Sequence, residues 1–444
     1  MDASVKPLNK NDVRVCEITG YTSEGMGVAR IGGRAVFIPG GARGDTCLVR
    51  ATKVSANVAY GRIERIETPS PHRVTPDCPA FPRCGGCQFR HISYGEELRA
   101  KKQRAEETLA RIGGISLAAQ DVFAAPELDG YRNKASFPVG RDAGGVPVTG
   151  FYRERTHDIV PVETCRLQSA EANACAKTVR EWMTQTGRSL RHIVTRGGDG
   201  GILVCLVSAY APDKSAARLA EMLRRDVPGL CGAVWQEHAG QDNVILGGRQ
   251  SLLWGSEYVR DELCGLEFRL SVQSFYQINK RQAGRMYARV LEYAGEYESL
   301  LDLYCGAGTM TLMAARARPG AKVFGAEIVP EAVSDARENA ARNSIENAGF
   351  ILGDAGEAAA HFEANPPDVI LLDPPRKGVS PETAAALLRI RPARIVYLSC
   401  DPATLARDLK LLCAGGYAAE SLTVADFFPR TAHVECAVKL VRKQ

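Results

Sequence analysis

The strongest constraint on the fold is an alternation of apolar, strand-like runs with helical segments after about Leu266. The runs LLDLY, KVFGAEIV, FILGD, DVILLDPP, RIVYLSC, LTVADFF and ECAVKLV have the pattern of strands, and segments such as PEAVSDARENAARNS and PATLARDLKLLCAGG have that of helices. This order predicts an α/β domain built on a doubly wound parallel sheet. Because such sheets bind ligands at the carboxyl ends of their strands, the residues at those ends are the first candidates for a functional site.

The first of these strands ends in a glycine loop, DLYCGAGT, that suits a nucleotide-like ligand. Gly306 and Gly308 let the backbone approach the ligand, and Glu327, 19 residues after Gly308 at the end of the second strand, can accept both ribose hydroxyls. Asp354 ends the third strand, where an adenine amino group could be bound. The missing third glycine of GxGxxG and the form of the loop favour S-adenosylmethionine over NAD, which remains the alternative.

The fourth and fifth strands end in residues suited to chemistry. Asp373 opens the turn DPPRKG, whose two prolines fix the loop shape and hold the carboxylate rigidly. Cys400 follows the fifth strand and precedes a helix that starts near Ala403. A helix N-terminus favours the thiolate over the thiol, whereas the neighbouring Asp401 opposes it. Cys400 is therefore a candidate nucleophile.

A further candidate is Glu435 in FFPRTAHVECAVKL, a carboxylate that opens an otherwise apolar strand. His433, two residues earlier, is expected to face the same side. The alternative interpretation is a surface glutamate on an edge strand.

The first 66 residues have a different pattern. Short β-like runs alternate with glycine turns, which predicts a small five-stranded barrel. The segment holds ten Lys or Arg against six acids, an excess of +4 that is nearly the whole surplus of +5 in the chain. A basic barrel is compatible with RNA binding, and a solvated β-domain without a ligand is the alternative.

A linker rich in proline and glycine follows, and it contains three closely spaced cysteines. Cys78, Cys84 and Cys87 form C-x5-C-x2-C, and Cys165 is the candidate fourth thiolate of a closed metal site. Zinc and iron-sulfur clusters both use thiolates, so the spacing leaves the identity of the metal open.

The middle of the chain carries no free-standing catalytic motif. A helix is predicted over about residues 94–112. The sequence from Tyr131 to about Leu263 is predicted to be rich in β-strands, with one or two helices. The segments YRNKASFPVGR and VTGFYRERTHDIV could line an RNA groove, although an ordinary sheet with cationic edges has the same composition.

Length and composition limit the class of protein. A chain of 444 residues is expected to hold two or three units, and it has no apolar run long enough to span a membrane. The start MDASVKPLNKNDVR lacks the apolar segment of a secretory signal, so a cytoplasmic location is expected. In that reducing compartment the 14 cysteines are expected to be metal ligands, nucleophiles or core residues.

Several motifs together resemble a known family. GMGVARIGGRAVFIPGGARGDTCLVR resembles a TRAM domain, an OB-like module of RNA-modifying enzymes. SFYQIN, DLYCGAGT, LLDPPRKG, LSCDPATLARD and HVE resemble the RNA uracil-C5 methyltransferases of the RumA and TrmA family, and the TRAM domain with the cysteine quartet is most similar to the branch that methylates 23S ribosomal RNA. The resemblance implies a Rossmann-like class I methyltransferase domain and an RNA substrate.

The resemblance also implies roles for individual residues. The cysteine of LSCDPATLARD is the family's nucleophile, which assigns that role to Cys400, and the glutamate of HVE is its base, which assigns that role to Glu435. One departure is Arg430, where the family is expected to have a histidine. The implied S-adenosylmethionine contacts are Gln277, Tyr304, Glu327 and Asp373. The implied ligands of a 4Fe-4S cluster are Cys78, Cys84, Cys87 and Cys165.

The resulting prediction is an enzyme that methylates uridine C5 in 23S rRNA through a covalent Cys400–C6 adduct. It is expected to act as a monomer on unassembled or partly assembled ribosomal RNA, without a membrane partner. The predicted domains are a TRAM barrel over 1–66, a central iron-sulfur and RNA-binding domain over 67–265, and the methyltransferase domain over 266–444. The alternatives are the same chemistry on tRNA, a radical S-adenosylmethionine enzyme, and a catalytically silent RNA-binding iron-sulfur protein.

Overall fold

The computed structural model describes residues 7–240 and 244–443. The first six residues and the final Gln444 lie outside the described residues. The first six include the start of the predicted TRAM domain and of the segment predicted to lack a secretory signal. The chain divides into two compact units, and the bounds of the three predicted domains stay predictions. In the described ranges no helix is long and apolar enough to cross a membrane. The first unit comprises Met1–Arg104, Tyr152–His157 and Phe428–His433, and the second comprises Ala105–Phe151, Asp158–Phe427 and Val434–Gln444.

The first unit begins with a six-stranded sheet in the order β1-β5-β6-β4-β3-β2. Neighbouring strands are antiparallel except β4 and β6, which are parallel. Alternate residues of β5 are buried, as expected for a strand with one face on a core. The sheet has six strands instead of the predicted five, since the two-residue β2 also pairs. The strands are β1 (Val13–Glu17), β2 (Gly20–Tyr21), β3 (Gly27–Ile31), β4 (Arg34–Ile38), β5 (Thr46–Val54) and β6 (Val58–Thr68).

Helix α1 (Tyr94–Thr108) carries a buried ion pair in its first half. The Nζ of Lys101 donates to Glu97 Oε1 at 2.7 Å and to the carbonyl of Phe428 at 3.2 Å. The Arg430 backbone N–H also donates to Glu97 Oε1, at 2.7 Å. A buried charge is stable when it is paired and hydrogen-bonded in this way, so these contacts hold segment 428–433 against the helix.

Helix α1 ends close to the predicted position. A single π-helical turn, Leu109–Gly113, follows it, and Gly114 ends the turn with φ of 68°. This left-handed conformation is the one that glycine adopts without steric cost. Ala105 and Leu109 lie in the hydrophobic core of the second unit.

A mixed sheet of seven strands follows in the second unit, in the order β10-β9-β8-β11-β12-β13-β14. Two helices pack on one of its faces, and Trp182 and Trp235 are the largest side chains of the core between them. The elements of this sheet and its helices are β8 (Lys134–Arg141), β9 (Pro147–Tyr152), β10 (Ile159–Pro161), α2 (Ala170–Thr186), β11 (His192–Gly198), β12 (Gly201–Ser208), α3 (Lys214–Asp226), β13 (Leu230–Glu237) and β14 (Arg249–Gly255). Strand β7 (Asp121–Phe123), which precedes them in the chain, belongs to the other large sheet of this unit.

The rest of the second unit forms a hairpin and an eight-stranded sheet in the order β19-β18-β17-β20-β21-β23-β22-β7. The alternation of strands and helices predicted from the sequence is confirmed. The elements are β15 (Val259–Leu263), β16 (Leu266–Leu270), α4 (Lys280–Ala294), β17 (Ser299–Leu303), α5 (Thr309–Ala317), β18 (Lys322–Glu327), α6 (Pro330–Arg342), β19 (Ala348–Leu352), α7 (Ala355–Ala360), β20 (Val369–Leu372), α8 (Pro381–Ile390), β21 (Arg394–Ser399), α9 (Pro402–Ala414), β22 (Tyr417–Ala425) and β23 (Glu435–Arg442).

The sheet differs from the prediction at one end. Strands β17 to β21 are mutually parallel, whereas β23 runs antiparallel to both β21 and β22. The connection over 426–434 contains no crossover helix, and a parallel neighbour needs such a crossover. The prediction of a doubly wound parallel sheet was therefore wrong for β23, and this reversal brings the start of β23 to the end of β21.

Candidate active site

The sheet places the predicted nucleophile beside the predicted base. In the antiparallel pair of β21 and β23, Ser399 is paired with Cys436. Cys400 directly follows the last residue of β21, and Glu435 is the first residue of β23, so the register brings both residues to the same end of the ladder. The charge of Glu435 acts on the Cys400 thiol, as expected for two neighbouring side chains.

Glu435 is buried, with 8% of its surface exposed, and β23 lies between two other strands of the sheet. The alternative of a surface glutamate on an edge strand was therefore wrong. Burial raises the pKa of Glu435 well above its usual range, and the nearby Asp373 raises it further. A carboxylate in this state is a stronger base than an exposed glutamate.

Asp373 follows β20 and begins a turn that is tied to helix α9. Burial raises the pKa of Asp373 to about 7. The Val379 N–H donates to Asp408 Oδ2 at 3.0 Å, and the Tyr397 hydroxyl donates to the same oxygen at 2.6 Å. Gly378 has φ of 77°, and a Cβ there would lie 2.3 Å from Asp408 Oδ2, so glycine is required for this close approach. The turn is therefore held against α9.

Arg376, on the same turn, is a charged residue that the sequence reasoning did not single out. Its positive charge lowers the pKa of the Cys400 thiol and that of the Glu435 carboxyl. It is the only cation among the described residues that acts on both groups. Its motif, DPPRKG, was visible in the sequence, but nothing there indicated that its arginine faces Cys400.

The ionisation of Cys400 depends on its burial and on three charged neighbours. Burial, Glu435 and Asp373 together raise the pKa of its thiol to about 11, although Arg376 lowers it. The sequence showed opposing effects of the helix N-terminus and of Asp401 and predicted no net direction, whereas burial makes the largest contribution in the folded chain. Asp401 instead caps the helix, since its Oδ1 accepts the N–H of Ala403 at 2.7 Å.

The glycine loop after β17 has the shape of a ligand cradle. Tyr304 has φ of 69°, a left-handed conformation that is rare for a residue with a side chain and costs about 1–3 kcal/mol. A Cβ added to Gly306 would meet no atom within 4 Å, so the space above this backbone is open. The Gly306 N–H donates to Glu327 Oε2 at 3.1 Å, which places Glu327 beside that space.

Asp302, at the end of β17, is a second residue that the sequence reasoning did not assign. It is fully buried, and Thr311 Oγ1 donates to its Oδ2 at 2.7 Å. Its Oδ1 has no hydrogen-bond partner within residues 7–240 and 244–443. Burial raises its pKa to about 7, and Asp373 and Glu327 raise it as well. A hydrogen-bond acceptor without a partner, close to other carboxylates, suits a positively charged ligand. S-adenosylmethionine carries such charges on its sulfonium and ammonium groups.

Gln277 is connected to this cluster through Tyr287 of α4. The Tyr287 hydroxyl is buried and hydrogen-bonded to the Gln277 side chain, and the charges of Asp373, Asp302 and Glu435 act on it. Burial raises the pKa of Tyr287 well above its usual range, so the hydroxyl keeps its proton. The structure thus brings Gln277 to the same centre as the carboxylates. Tyr287 lies in an ordinary helical pattern, so no sequence signal marked it.

Apolar side chains are exposed where β18 and β19 end. Ile328, Val329 and Leu352 are among the exposed large hydrophobic residues, and Leu352 is paired with Glu327. Such exposed apolar groups beside a carboxylate fit a ligand that combines a ring with ribose hydroxyls. Asp354 uses its Oδ1 to accept the Gly356 N–H at 2.8 Å at the start of α7.

The predicted cluster ligands fall in both units. Cys78, Cys84 and Cys87 belong to the first unit, and the charges of Cys87 and Cys78 act on Cys84. The Gly86 N–H donates to Cys84 Sγ at 3.4 Å, a contact that also suits a thiolate ligand. Cys165 belongs to the second unit. Over the described residues no group of three or more His, Cys, Asp or Glu side chains is arranged to hold a metal ion.

Comparisons with known proteins bear on this site. The model of the tRNA (uracil-5-)-methyltransferase family matches residues 243–443, and that of the TRAM domain matches residues 10–63. An uncharacterised RNA methyltransferase of Halalkalibacterium halodurans is 37% identical over 100% of both chains. Another from Bacillus cereus is 36% identical over 98% of both.

A solved structure is similar over nearly the whole chain. It is the Pyrococcus abyssi tRNA (uracil-54, C5)-methyltransferase in complex with S-adenosyl-L-homocysteine, with a TM-score of 0.78, 26% identity, and coverage of 96% of this chain and 99% of that one. These likenesses define an S-adenosylmethionine-dependent RNA-modifying enzyme with a mixed α/β methyltransferase fold. The chain belongs to the RNA (uracil-5-)-methyltransferase family. The TRAM domain predicted from the sequence is confirmed.

Proposed function

We propose that this enzyme methylates uridine C5 through a covalent adduct between Cys400 and C6 of the base. The observation that carries the proposal is the pairing of Ser399 with Cys436, which brings Cys400, one residue beyond β21, close to the buried Glu435 at the start of β23. A thiol nucleophile beside a carboxylate of raised pKa provides the two groups that this chemistry needs.

The need for a nucleophile follows from the substrate. Uracil C5 is too weak a nucleophile to accept a methyl group directly. The Cys400 thiol releases its proton to solvent, the thiolate sulfur bonds to C6, and the electron pair of the C5–C6 double bond moves into an enolate over C5, C4 and O4. S-adenosylmethionine, when bound, supplies the electrophilic methyl group that C5 then takes.

The second half of the reaction requires a base. Glu435 accepts the proton from C5, the electron pair of that bond re-forms the C5–C6 double bond, and the C6–S bond breaks to release the Cys400 thiolate. Burial and Asp373 hold the pKa of Glu435 high, so the carboxylate binds this proton readily. Arg376 lies where its charge stabilises the departing thiolate.

The proposed methyl-donor site consists of Gln277, Tyr304, Glu327 and Asp373, with Asp302 in addition. Glu327 is assigned to the ribose hydroxyls, and the exposed apolar side chains beside it are assigned to the adenine. The carboxylates Asp302 and Asp373 are assigned to the positive charges of the donor. The orphaned Oδ1 of Asp302 supports this assignment.

Two variants test the mechanism. Cys400→Ala is expected to abolish transfer of tritiated methyl to unmodified RNA while RNA binding is retained. Glu435→Gln is expected to methylate C5 and then stall, because the C5 proton is not removed, and a covalent protein–RNA species is then visible on denaturing gels. Full activity of Cys400→Ala, or absence of the covalent species in Glu435→Gln, would refute the respective role.

For the substrate, we propose a uridine of 23S rRNA, on the resemblance carried by the TRAM domain and the cysteine quartet. A tRNA uridine is the second candidate, since the similar Pyrococcus abyssi structure is that of a tRNA methyltransferase. Mapping 5-methyluridine in both RNAs from a strain that lacks the enzyme distinguishes them. Loss from 23S rRNA alone supports the first candidate, and loss from tRNA alone supports the second.

We further propose a 4Fe-4S cluster, with Cys78, Cys84, Cys87 and Cys165 as its ligands on the family resemblance. The effect of Cys78 and Cys87 on the Cys84 thiol, and the Gly86 N–H that donates to Cys84 Sγ, support their part of the site. Anaerobically purified protein is expected to contain iron and acid-labile sulfide in equal amounts. Stoichiometric zinc without sulfide would overturn the cluster in favour of a zinc site.

A further inference from the structure

Two cations stand opposite each other in the seven-stranded sheet. Strands β8 and β11 are antiparallel, and Lys134 is paired directly with Arg196. Like charges in this position repel each other, and both side chains are largely removed from solvent. Burial and the charge of Arg196 lower the pKa of Lys134 to about 8. Such an arrangement lowers stability unless an anion lies nearby.

The two cations differ in their surroundings. The carboxylate of Asp261 acts on Arg196, and Lys280 donates to the same carboxylate at 2.8 Å. Arg196 itself is fully buried, one of its Nη atoms donates to the Ser274 carbonyl, and its Nε and other Nη have no partner in the described parts of the chain. Lys134 has no carboxylate acting on it. Lys134 therefore carries the surplus charge.

A hydroxyl group without a hydrogen-bond partner lies on the same face of the sheet as Lys134. Ser136 is two residues from Lys134 on β8, so both side chains point to one face. The Ser136 hydroxyl is buried and has no hydrogen-bond partner among the described residues. The ammonium of Lys134 likewise makes no hydrogen bond or ion pair within the described ranges. An ammonium and a hydroxyl without acceptors, backed by a second cation, form a site for an anion.

This face adjoins the loop that carries Gln277. The Asn133 side chain donates to the Gln277 carbonyl at 2.9 Å, and the Asn133 N–H donates to the Ile278 carbonyl at 3.0 Å. Arg196 holds Ser274, at the other end of the same loop. Between these anchors Phe275 is 75% exposed, so the loop presents an aromatic ring of the kind on which nucleobases stack.

We propose that Lys134, with Ser136 and the charge of Arg196 behind it, binds a backbone phosphate of the substrate RNA next to the target uridine. This proposal rests on the function proposed above, because it takes RNA as the substrate. A phosphodiester keeps its negative charge throughout the physiological pH range, and a lysine meets it as a point charge. Bound there, it would relieve the repulsion between the two cations.

The test is the salt dependence of RNA binding by the full-length protein, with a transcript of the target region as the probe. Lys134→Met keeps the length of the side chain and removes its charge. We expect the slope of log K against log salt concentration to become less negative by about 0.7, the contribution of one single-stranded phosphate contact. Lys134→Arg is expected to restore the slope. In Lys134→Met, KM for RNA is expected to rise, whereas kcat and the Kd for S-adenosylmethionine are expected to stay unchanged.

The matched control is Lys177→Met, which removes an exposed lysine from helix α2 on the opposite face of the same sheet. It is expected to leave the slope unchanged. An equal slope in wild type and Lys134→Met overturns the phosphate site, even if the affinity falls. If the wild type methylates no RNA but Lys134→Met still reduces the slope, the phosphate site stands and the proposed function fails.

Discussion

Replacing Arg376 by methionine is expected to make Cys400 less reactive. Arg376 lowers the pKa of the Cys400 thiol, whereas burial, Glu435 and Asp373 raise it. Methionine keeps much of the length of the side chain and removes the charge. The thiol pKa in the variant should therefore exceed the value of about 11 that holds in the wild type.

The size of the effect follows from the ionised fraction. With a pKa of about 11, about one Cys400 thiol in a thousand is ionised at pH 8, against about one in ten for a thiol at its ordinary value of 9.0. An opposite charge within a few ångströms changes a pKa by about 1 unit or more. Loss of Arg376 should then reduce the thiolate, and the rate of alkylation, about tenfold.

The assay is alkylation with iodoacetamide between pH 7 and pH 10, in the absence of RNA, with the Cys400 peptide quantified by mass spectrometry. Cys264 is exposed and serves as an internal reference in every sample. Lys377→Met is the matched control, because it removes a neighbouring exposed cation from the same turn. Formation of the covalent adduct with RNA that contains 5-fluorouridine should slow by the same factor as alkylation.

Two results would refute this reasoning. One is an unchanged pH profile of Cys400 in Arg376→Met. The other is an equal slowing in Lys377→Met, which would show that general charge on the turn, and not the position of Arg376, governs the thiol.

Further predictions concern the carboxylates and the turn. Burial raises the pKa of Asp373 to about 7, so the carboxylate becomes charged between pH 6 and pH 8. Calorimetry should therefore find that S-adenosylmethionine binds up to about tenfold more tightly at pH 8 than at pH 6. S-adenosylhomocysteine lacks the sulfonium, and its affinity should change less. Asp408→Ala should lower the free energy of unfolding in urea by about 2–5 kcal/mol, because the Tyr397 hydroxyl and the Val379 N–H lose their shared acceptor. A loss below 0.5 kcal/mol would contradict that role.

The parts of the fold that could be predicted are those with a local signal. The strand and helix pattern after Leu266 is such a signal, and so is Gly114, which ends the helical run at the expected place. The reversal of β23 could not be read from its own residues, because a buried strand has the same apolar pattern in either direction. The direction depends on the connection that precedes it.

The same distinction holds for the site. Cys400, Glu435 and Asp373 were found because each interrupts an apolar pattern at a strand end. Asp302 also ends a strand and could have been found in this way. Arg376 and Tyr287 carry no such mark, since their importance lies in which groups they face after folding. The burial that raises the pKa of Cys400 is likewise a property of the packed molecule.

The hydrogen-bond ladder between β21 and β23 has a consequence for how such an enzyme can diversify. Because Cys400 and Glu435 adjoin the paired residues Ser399 and Cys436, the register of β21 and β23 brings the two groups together. Loops outside this ladder can then change in length without shifting that register. Conversely, inserting or deleting one residue within β21 or β23 would shift the register and put a different side chain beside Cys400.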